Sequence, residues 1–139
     1  MKNLHILLVG MHPIVAKKAL EYWTPDSVII LTSTELGDMN EEFFEEVRES
    51  GVLFRIIREK TFDADSLNMF ITEMGKAVAD YQNLHGDVAL YAGLTGGTNI
   101  MVSALSVFAA SQNAILYYIV EESEEMIQFQ MADIYTIIK

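Results

Sequence analysis

The most informative segment of this chain is Gly93-Leu94-Thr95-Gly96-Gly97-Thr98-Asn99. It follows a short, nearly continuous apolar run at 87–92, which is typical of a strand covered on both faces. It precedes an apolar segment at 100–110, rich in Ala, Met, Val, Leu and Phe, that is typical of a helix. A glycine-rich turn that opens a helix presents unpaired N–H groups and the positive end of the helix dipole. The stretch therefore predicts a strand–turn–helix unit with an anion site, and phosphate is the usual guest of such a site.

The turn does not match the common phosphate-binding loops. It contains no GxGxxG, the fingerprint of dinucleotide-binding domains, and no GxxxxGK[ST], the loop of ordinary ATPases and GTPases. A second interpretation stays open beside phosphate binding: the glycines serve only backbone conformation and close packing.

Strand-like and helix-like patterns alternate along the chain. Strands are predicted at 3–9, 27–32, 53–57, 87–91 and 114–120, and helices at 14–23, 39–49, 65–82 and 99–111. Asp63 or Asp65 is expected to cap the third helix and Thr98 the fourth, and Gly51 is expected to end the second. After residue 120 the pattern predicts an antiparallel hairpin strand at 126–131 and a further edge strand at 134–138. The fold class is therefore α/β: a Rossmann-like three-layer sandwich, mostly parallel, with helices on both faces and a C-terminal antiparallel hairpin.

Composition limits the function. The chain has 139 residues, nine Lys plus Arg against twenty Asp plus Glu, a net charge of −11, and no cysteine. We expect a single domain over residues 1–139 that is soluble and cytoplasmic, without disulfides, since no apolar run approaches the ~20 residues of a membrane span. The negative charge disfavours direct binding of DNA or long RNA. No metal site and no cofactor is predicted, and the acidic clusters at 41–46 and 121–125 are interpreted as solvated surface.

Parallel strands place their carboxyl-terminal loops at one edge of the sheet, where ligands bind in such folds. The predicted loops at that edge are 10–13, 33–35, 58–61 and 92–99. His12 is the histidine placed there to contact a phosphate, stack on a base or act as a general acid; the alternative is an exposed loop residue before Pro13. Arg58 and Lys60 are the nearest candidate cations. His5 is interpreted as structural, and His85 as a surface loop residue at the opposite edge.

Three segments resemble the CRISPR-associated Rossmann-fold (CARF) domains. The run Thr95-Gly96-Gly97-Thr98 is similar to the signature of that family. The segment Leu4-His5-Ile6-Leu7-Leu8-Val9-Gly10-Met11-His12-Pro13-Ile14-Val15 resembles its first strand and ligand-facing loop, and Val28-Ile29-Ile30-Leu31-Thr32-Ser33-Thr34-Glu35 its second strand and polar turn. The resemblance implies a cyclic oligoadenylate as ligand, a two-fold homodimer, and signalling to an effector module. The sequence leaves open whether such a module is fused to this domain or has been removed from it.

The edge of the sheet and the resemblance together give the candidate ligand-binding residues: Gly10, Met11, His12, Pro13, Ser33, Thr34, Thr95, Gly96, Gly97, Thr98 and Asn99. One position departs from the family pattern. Many members have a Lys directly after the TGGT run, where this chain has Asn99, which can donate hydrogen bonds but carries no charge. This departure weakens the expectation of catalysis more than the expectation of binding.

Three functions are weighed. The first is a sensor domain of type III CRISPR signalling that binds cyclic tetra-adenylate across a homodimer. The second is a metal-independent ring nuclease that cleaves this messenger, with His12 and Asn99 as the catalytic candidates. The third is an unrelated α/β domain that binds a mononucleotide or dinucleotide. No nucleophile with its base and orienting group can be assembled from the sequence, so no catalytic residue is assigned.

Overall fold

Six strands form one sheet in this protein, whose computed structural model describes residues 1–120, 123 and 125–130. The strands are β1 (Lys2–Leu8), β2 (Ser27–Ser33), β3 (Leu53–Glu59), β4 (Val88–Gly93), β5 (Ile115–Ile119) and β6 (Met126–Phe129). They lie in the order β3-β2-β1-β4-β5-β6. The first five pair in parallel, and β6 pairs antiparallel with β5, with Tyr118 opposite Ile127.

Within the described residues, four helices cover the sheet: α1 (Ile14–Trp23), α2 (Glu41–Ser50), α3 (Ser66–His85) and α4 (Asn99–Ser111). Alternate residues of β1 point to opposite faces, because successive side chains of a strand do so. Leu4, Ile6 and Leu8 pack with α3 and α4 in one core. Leu7 and Val9 pack with α1 and α2 in a second core on the other face. The predicted three-layer α/β fold with its antiparallel hairpin is confirmed; the edge strand predicted at 134–138 lies outside the described residues.

The ends of the elements differ modestly from the predicted ones. The bounds of α1 and α4 are as predicted, whereas α2 begins at Glu41 rather than at 39, after a short 3-10 turn at Thr34–Leu36. Both β3 and β4 run two residues further than predicted, since neighbouring strands pair with their ends, as Ser33 does with Glu59. The prediction that His85 lies in a loop is wrong: it is the last residue of α3, with its ring centroid 4.4 Å from that of Tyr81.

The helix ends show which predicted caps form. The Thr98 hydroxyl accepts a hydrogen bond from the Met101 amide at 3.3 Å, and Gly51 ends α2 with a φ of 84°, so both predictions are confirmed. Asp65 takes the N-cap position of α3 but its side chain makes no capping hydrogen bond. Instead the Ser66 hydroxyl accepts from the Asp63 amide at 3.3 Å. Within the described residues, no helix combines the length and the apolar character of a membrane span.

Candidate functional site

The glycine-rich turn between β4 and α4 lies at the carboxyl edge of the sheet. Gly96 has a φ of 101°, a conformation that favours glycine. The hydroxyl of Thr98, at the N-cap, accepts a hydrogen bond from the Met101 amide. The amides that come before Met101 in the first turn of α4 have no acceptor within the helix. The turn therefore offers backbone donors and the positive end of the α4 dipole at this edge.

The loop after β1 packs directly on this turn. A Cβ at Gly10 would lie 2.4 Å from the carbonyl oxygen of Gly96, and a Cβ at Gly97 would lie 2.9 Å from Cδ1 of Leu8. Real side chains do not approach that closely, so the contact depends on glycine at both positions. Gly10 thus meets the backbone of the turn at Gly96, while Gly97 rests on the side chain of Leu8.

An open cleft of about 700 Å³ lies where these two loops meet. Its lining residues come from the loop after β1, from α1, from the turn after β4, from α4 and from β5: Met11, His12, Ile14, Val15, Lys18, Leu94, Thr95, Gly96, Gly97, Val102 and Tyr118. Lys18 and His12 supply the basic groups. None of the lining residues that the structure describes is acidic, although the whole chain carries a net charge of −11. The described part of the lining is thus basic and apolar within an acidic chain.

Five of the predicted ligand-binding residues line this cleft: Met11, His12, Thr95, Gly96 and Gly97. The Thr95 hydroxyl, however, accepts a hydrogen bond from the Ile119 amide at 2.9 Å and is buried. Its side chain therefore ties the turn to β5.

Four further predicted residues lie beside the cleft without lining it. Gly10 is buried beneath Gly96, and Pro13 holds the N-cap position of α1. Thr98 caps α4, and Asn99 is the exposed first residue of that helix. The structure thus places the two catalytic candidates differently, since His12 lines the cleft and Asn99 does not.

Ser33 and Thr34 lie at the same edge but outside the cleft lining. The Ser33 hydroxyl donates to the Glu35 carboxylate and accepts from the Glu35 amide at 3.1 Å. The Thr34 hydroxyl lies 3.4 Å from the same carboxylate, which also accepts from the Thr61 amide at 2.9 Å. The Ser33 hydrogen bond, followed by that of Thr61, lowers the pKa of Glu35 to about 2. The hydroxyls predicted to bind ligand are engaged within the protein.

The two candidate cations, Arg58 and Lys60, do not line the cleft. Arg58 is paired with Glu41 at 2.6 Å and lies over the Phe44 ring, and Lys60 lies 3.9 Å from Asp63. Among the described residues, the lysine that lines the cleft is Lys18, one helical turn after Ile14, which also lines it. The spacing of these two residues on α1, directly after the His12 loop, is a signal that could have identified Lys18.

The other missed residues supply apolar surface: Val15, Leu94, Val102 and Tyr118. Tyr118 and Val102 come from elements far along the chain from His12, and they reach the cleft because β5 and α4 border β4. No local pattern in the sequence marks them. Among the described residues, no group of three or more His, Asp or Glu side chains is arranged to hold a metal ion.

An aromatic cluster supports the turn from below. The His5 ring stacks on Tyr91 with centroids 4.5 Å apart, and its Nδ1 lies 2.9 Å from the Tyr117 hydroxyl. Tyr117 in turn occupies the space that a side chain at Gly93 would need, 2.9 Å from its Cβ position. Burial lowers the pKa of His5 to about 4 and raises the pKa of Tyr117. His5 is therefore a buried core residue, which agrees with the interpretation that its role is structural.

No protein-family model matches the chain, and no curated protein matches it significantly. Solved structures do. Csm6 of Enterococcus italicus, bound to cyclic hexa-2'-fluoro-hexa-dAMP, superposes with a TM-score of 0.72 at 9% identity over 99% of this chain and 43% of its own. Can2 of Sulfobacillus thermosulfidooxidans, in complex with cyclic tetra-adenylate, superposes with a TM-score of 0.64 at 17% identity over 90% of this chain and 34% of its own. VC1899 of Vibrio cholerae superposes with a TM-score of 0.69 at 8% identity over 91% of this chain and 33% of its own.

The chain spans less than half the length of each of these proteins. At such low identity the likeness concerns the fold, which is the fold that the resemblance to the CARF family implied. The strand order, the glycine turn before α4 and these superpositions agree: the chain has the fold of a CARF domain.

Proposed function

We propose that this domain binds a cyclic oligoadenylate in the cleft between the Met11–His12 loop and the glycine turn, as a sensor in CRISPR signalling. The observation that carries the proposal is the cleft itself: about 700 Å³, bordered by the N-terminus of α4 and lined by Lys18 and His12. Two proteins that share the fold are described with such rings bound, which supports the choice of ligand class.

The lining suits a nucleotide because it has a polar and an apolar part. Phosphate oxygens fit the backbone donors of Gly96 and Gly97, the ammonium of Lys18 and the imidazole of His12. Adenine rings fit the apolar surfaces of Met11, Ile14 and Tyr118, of which Tyr118 also offers a ring for stacking. A generic anion would leave this apolar surface unused.

We further propose that two copies of the chain share one ring of four nucleotides. A cleft of this volume is typical for one drug-sized ligand, and a cyclic tetranucleotide is larger. A two-fold dimer repeats every contact, so that two clefts would hold opposite sides of a symmetric ring. Closure of the two copies around the ring would pass the signal to an effector.

Binding is favoured over cleavage as the function. A ring nuclease built on the two predicted residues would need His12 and Asn99 at one phosphate, and only His12 lines the cleft. The sensor proposal uses His12 as a ligand contact and requires no reacting partner for it.

Native mass spectrometry with cyclic tetra-adenylate and cyclic hexa-adenylate tests this function. We expect one intact cyclic tetra-adenylate per dimer that persists over several hours. A bound species that gains one water and becomes linear would make the domain a ring nuclease. No complex with either ring would refute the proposed ligand class.

Lys18→Glu provides the matching mutational test. It places a carboxylate in the cleft, and we expect it to weaken cyclic tetra-adenylate binding by about tenfold or more, measured by isothermal titration calorimetry. Lys17→Glu is the control. It changes the net charge equally, but Lys17 lies over Phe43 in the groove between α1 and α2. Equal losses of affinity in the two variants would indicate a long-range charge effect and contradict the proposed site.

A further inference from the structure

Asn40 has an unusual place at the start of α2. It occupies the N-cap position, where an asparagine side chain ordinarily accepts a hydrogen bond from the helix, yet its side chain makes no capping bond. Its Nδ2 instead donates to the Gly10 carbonyl oxygen at 2.8 Å, and the residue is only 6% exposed. The side chain thus serves the loop after β1 rather than its own helix.

Gly10, the residue that Asn40 holds, is also the residue that packs against the glycine turn. Backbone hydrogen bonds fix the chain on either side of the loop, from the Val9 amide to Leu31 and from the Lys17 amide to Pro13. Asn40 supplies a bond to Gly10 between these points, and the Gly10 Cα lies against the Gly96 carbonyl. Contacts therefore run without a gap from α2 through Gly10 to the cleft.

We infer that Asn40 is a positioning residue for the ligand cleft. By holding Gly10, it keeps the wall formed by Met11 and His12 against the turn at Gly96, although Asn40 itself does not line the cleft. The inference rests on the proposed function for its ligand, but the geometry it describes exists without ligand.

Two substitutions isolate the bond to Gly10. Asn40→Asp keeps the shape and remains a preferred N-cap residue, and its carboxylate would face the Gly10 carbonyl with no proton to donate. Asn40→Ser also remains a preferred N-cap residue and is too short to bridge the same gap. Both therefore limit the loss of helix stability while removing the bond, and the serine variant serves if the aspartate variant does not fold.

Thr32→Val is the matched control. The Thr32 hydroxyl donates to the Val9 carbonyl at 2.9 Å and is buried, so it makes the same kind of bond one residue earlier in the chain. Val9 belongs to the core beneath α1 and α2 and does not line the cleft. If Asn40 has a purely structural role, losing its bond to Gly10 and losing the bond of Thr32 to Val9 should have the same effect on ligand binding.

The experiment measures the Kd for cyclic tetra-adenylate and cyclic hexa-adenylate, and the hydrogen exchange of the amides at 10–12 and 96–97 without ligand. We expect Asn40→Asp to weaken binding by about tenfold and Thr32→Val by less than about twofold, at temperatures where both are folded. Hydrogen exchange at both loops should be faster in Asn40→Asp than in the unaltered protein, and unchanged in Thr32→Val.

Binding and exchange that match those of Thr32→Val would overturn the role given to Asn40. If the unaltered protein binds neither ring, the proposed function fails, and the exchange measurement alone still decides whether Asn40 holds the two loops together.

Discussion

Two parts of the same sheet edge differ in how they use their polar groups. On the first, the glycine side, the loop after β1 meets the turn after β4 through Gly10, Gly96 and Gly97. On the second, the carboxylate side, Ser33 and the Thr61 amide bond to the carboxylate of Glu35. The glycine side leaves an open cleft, whereas the carboxylate side directs its hydroxyls inward.

The difference shows that residue type alone does not make a binding site. Serine and threonine occur on both sides, and both sides lie at the carboxyl edge where ligands bind in this kind of fold. A carboxylate next to Ser33 gives the hydroxyl an internal acceptor. Glycines at close contacts, in contrast, form one wall of the open cleft.

Gly10→Ala should break the glycine side with the largest effect. The added methyl group would meet the Gly96 carbonyl at 2.4 Å, and a backbone atom cannot rotate away as a side chain can. We expect a loss of about 3 kcal/mol or more in the free energy of unfolding, together with loss of cyclic tetra-adenylate binding. Urea denaturation and calorimetry measure the two effects.

Gly75→Ala is the control for this substitution. Gly75 lies within α3, where an added Cβ would meet only Phe108 at 4.0 Å. Alanine should stabilise the helix by about 0.5–1 kcal/mol and leave ligand affinity unchanged. Equal behaviour of the two alanine variants would show that the loops do not touch as described.

Acid should destabilise the protein in two steps, first through the buried His5 of the aromatic cluster and then through Glu35 on the carboxylate side. Burial lowers the His5 pKa in the folded state to about 4 from 6.5, so the unfolded chain binds more protons between these values. The stability that the folded state gains from a neutral His5 is complete above pH 6.5. As the pH falls towards 4, the free energy of unfolding decreases by on the order of 2–3 kcal/mol. For Glu35, with a pKa lowered from 4.5 to about 2, the contribution is lost only below pH 4.5.

Urea denaturation at a series of pH values measures this order. His5→Phe should flatten the dependence between pH 6.5 and 4, while His85→Gln, which removes an exposed histidine, should leave the part due to His5 in place. Stability that stays constant over this range in the unaltered protein would contradict the burial of a neutral His5.

Removing one capping hydroxyl from each side of the sheet edge should have smaller effects on stability and binding. Ser33 accepts from the Glu35 amide on the carboxylate side, and Thr98 accepts from the Met101 amide at the start of α4. Each alanine variant should lose about 1 kcal/mol of stability, because each removes a cap. Only Thr98→Ala should also weaken cyclic tetra-adenylate binding, by a few fold, since it loosens the first turn beside the cleft. Weaker binding in Ser33→Ala would extend the site to the carboxylate side.

The layers of the fold could be predicted because each depends on a pattern within a short segment. The bounds of α1 and α4 follow from apolar periodicity with Pro13 and Thr98 at the starts. The start of α2 could not be predicted as well, because Asn40 turns its side chain to Gly10 instead of capping. That choice depends on a residue thirty positions away.

The cleft lining could be predicted where backbone forms it and could not where tertiary packing forms it. Met11, His12 and the turn at 95–97 follow from sequence order and glycine content. Tyr118 and Val102 complete the cleft only because β5 and α4 lie beside β4. The hydrogen bond from Ser33 to Glu35 could not be predicted either, since the sequence of a polar turn is the same whether its hydroxyls face a ligand or a neighbouring carboxylate.

A wall made of main chain, as at Gly96 and Gly97, cannot be adjusted one side chain at a time. Its N–H donors belong to the backbone, and a Cβ at Gly10 or Gly97 would collide with the Gly96 carbonyl or the Leu8 side chain. Substitution at these glycines therefore offers no graded series of cleft shapes: the wall keeps its position with glycine and is displaced by any larger residue.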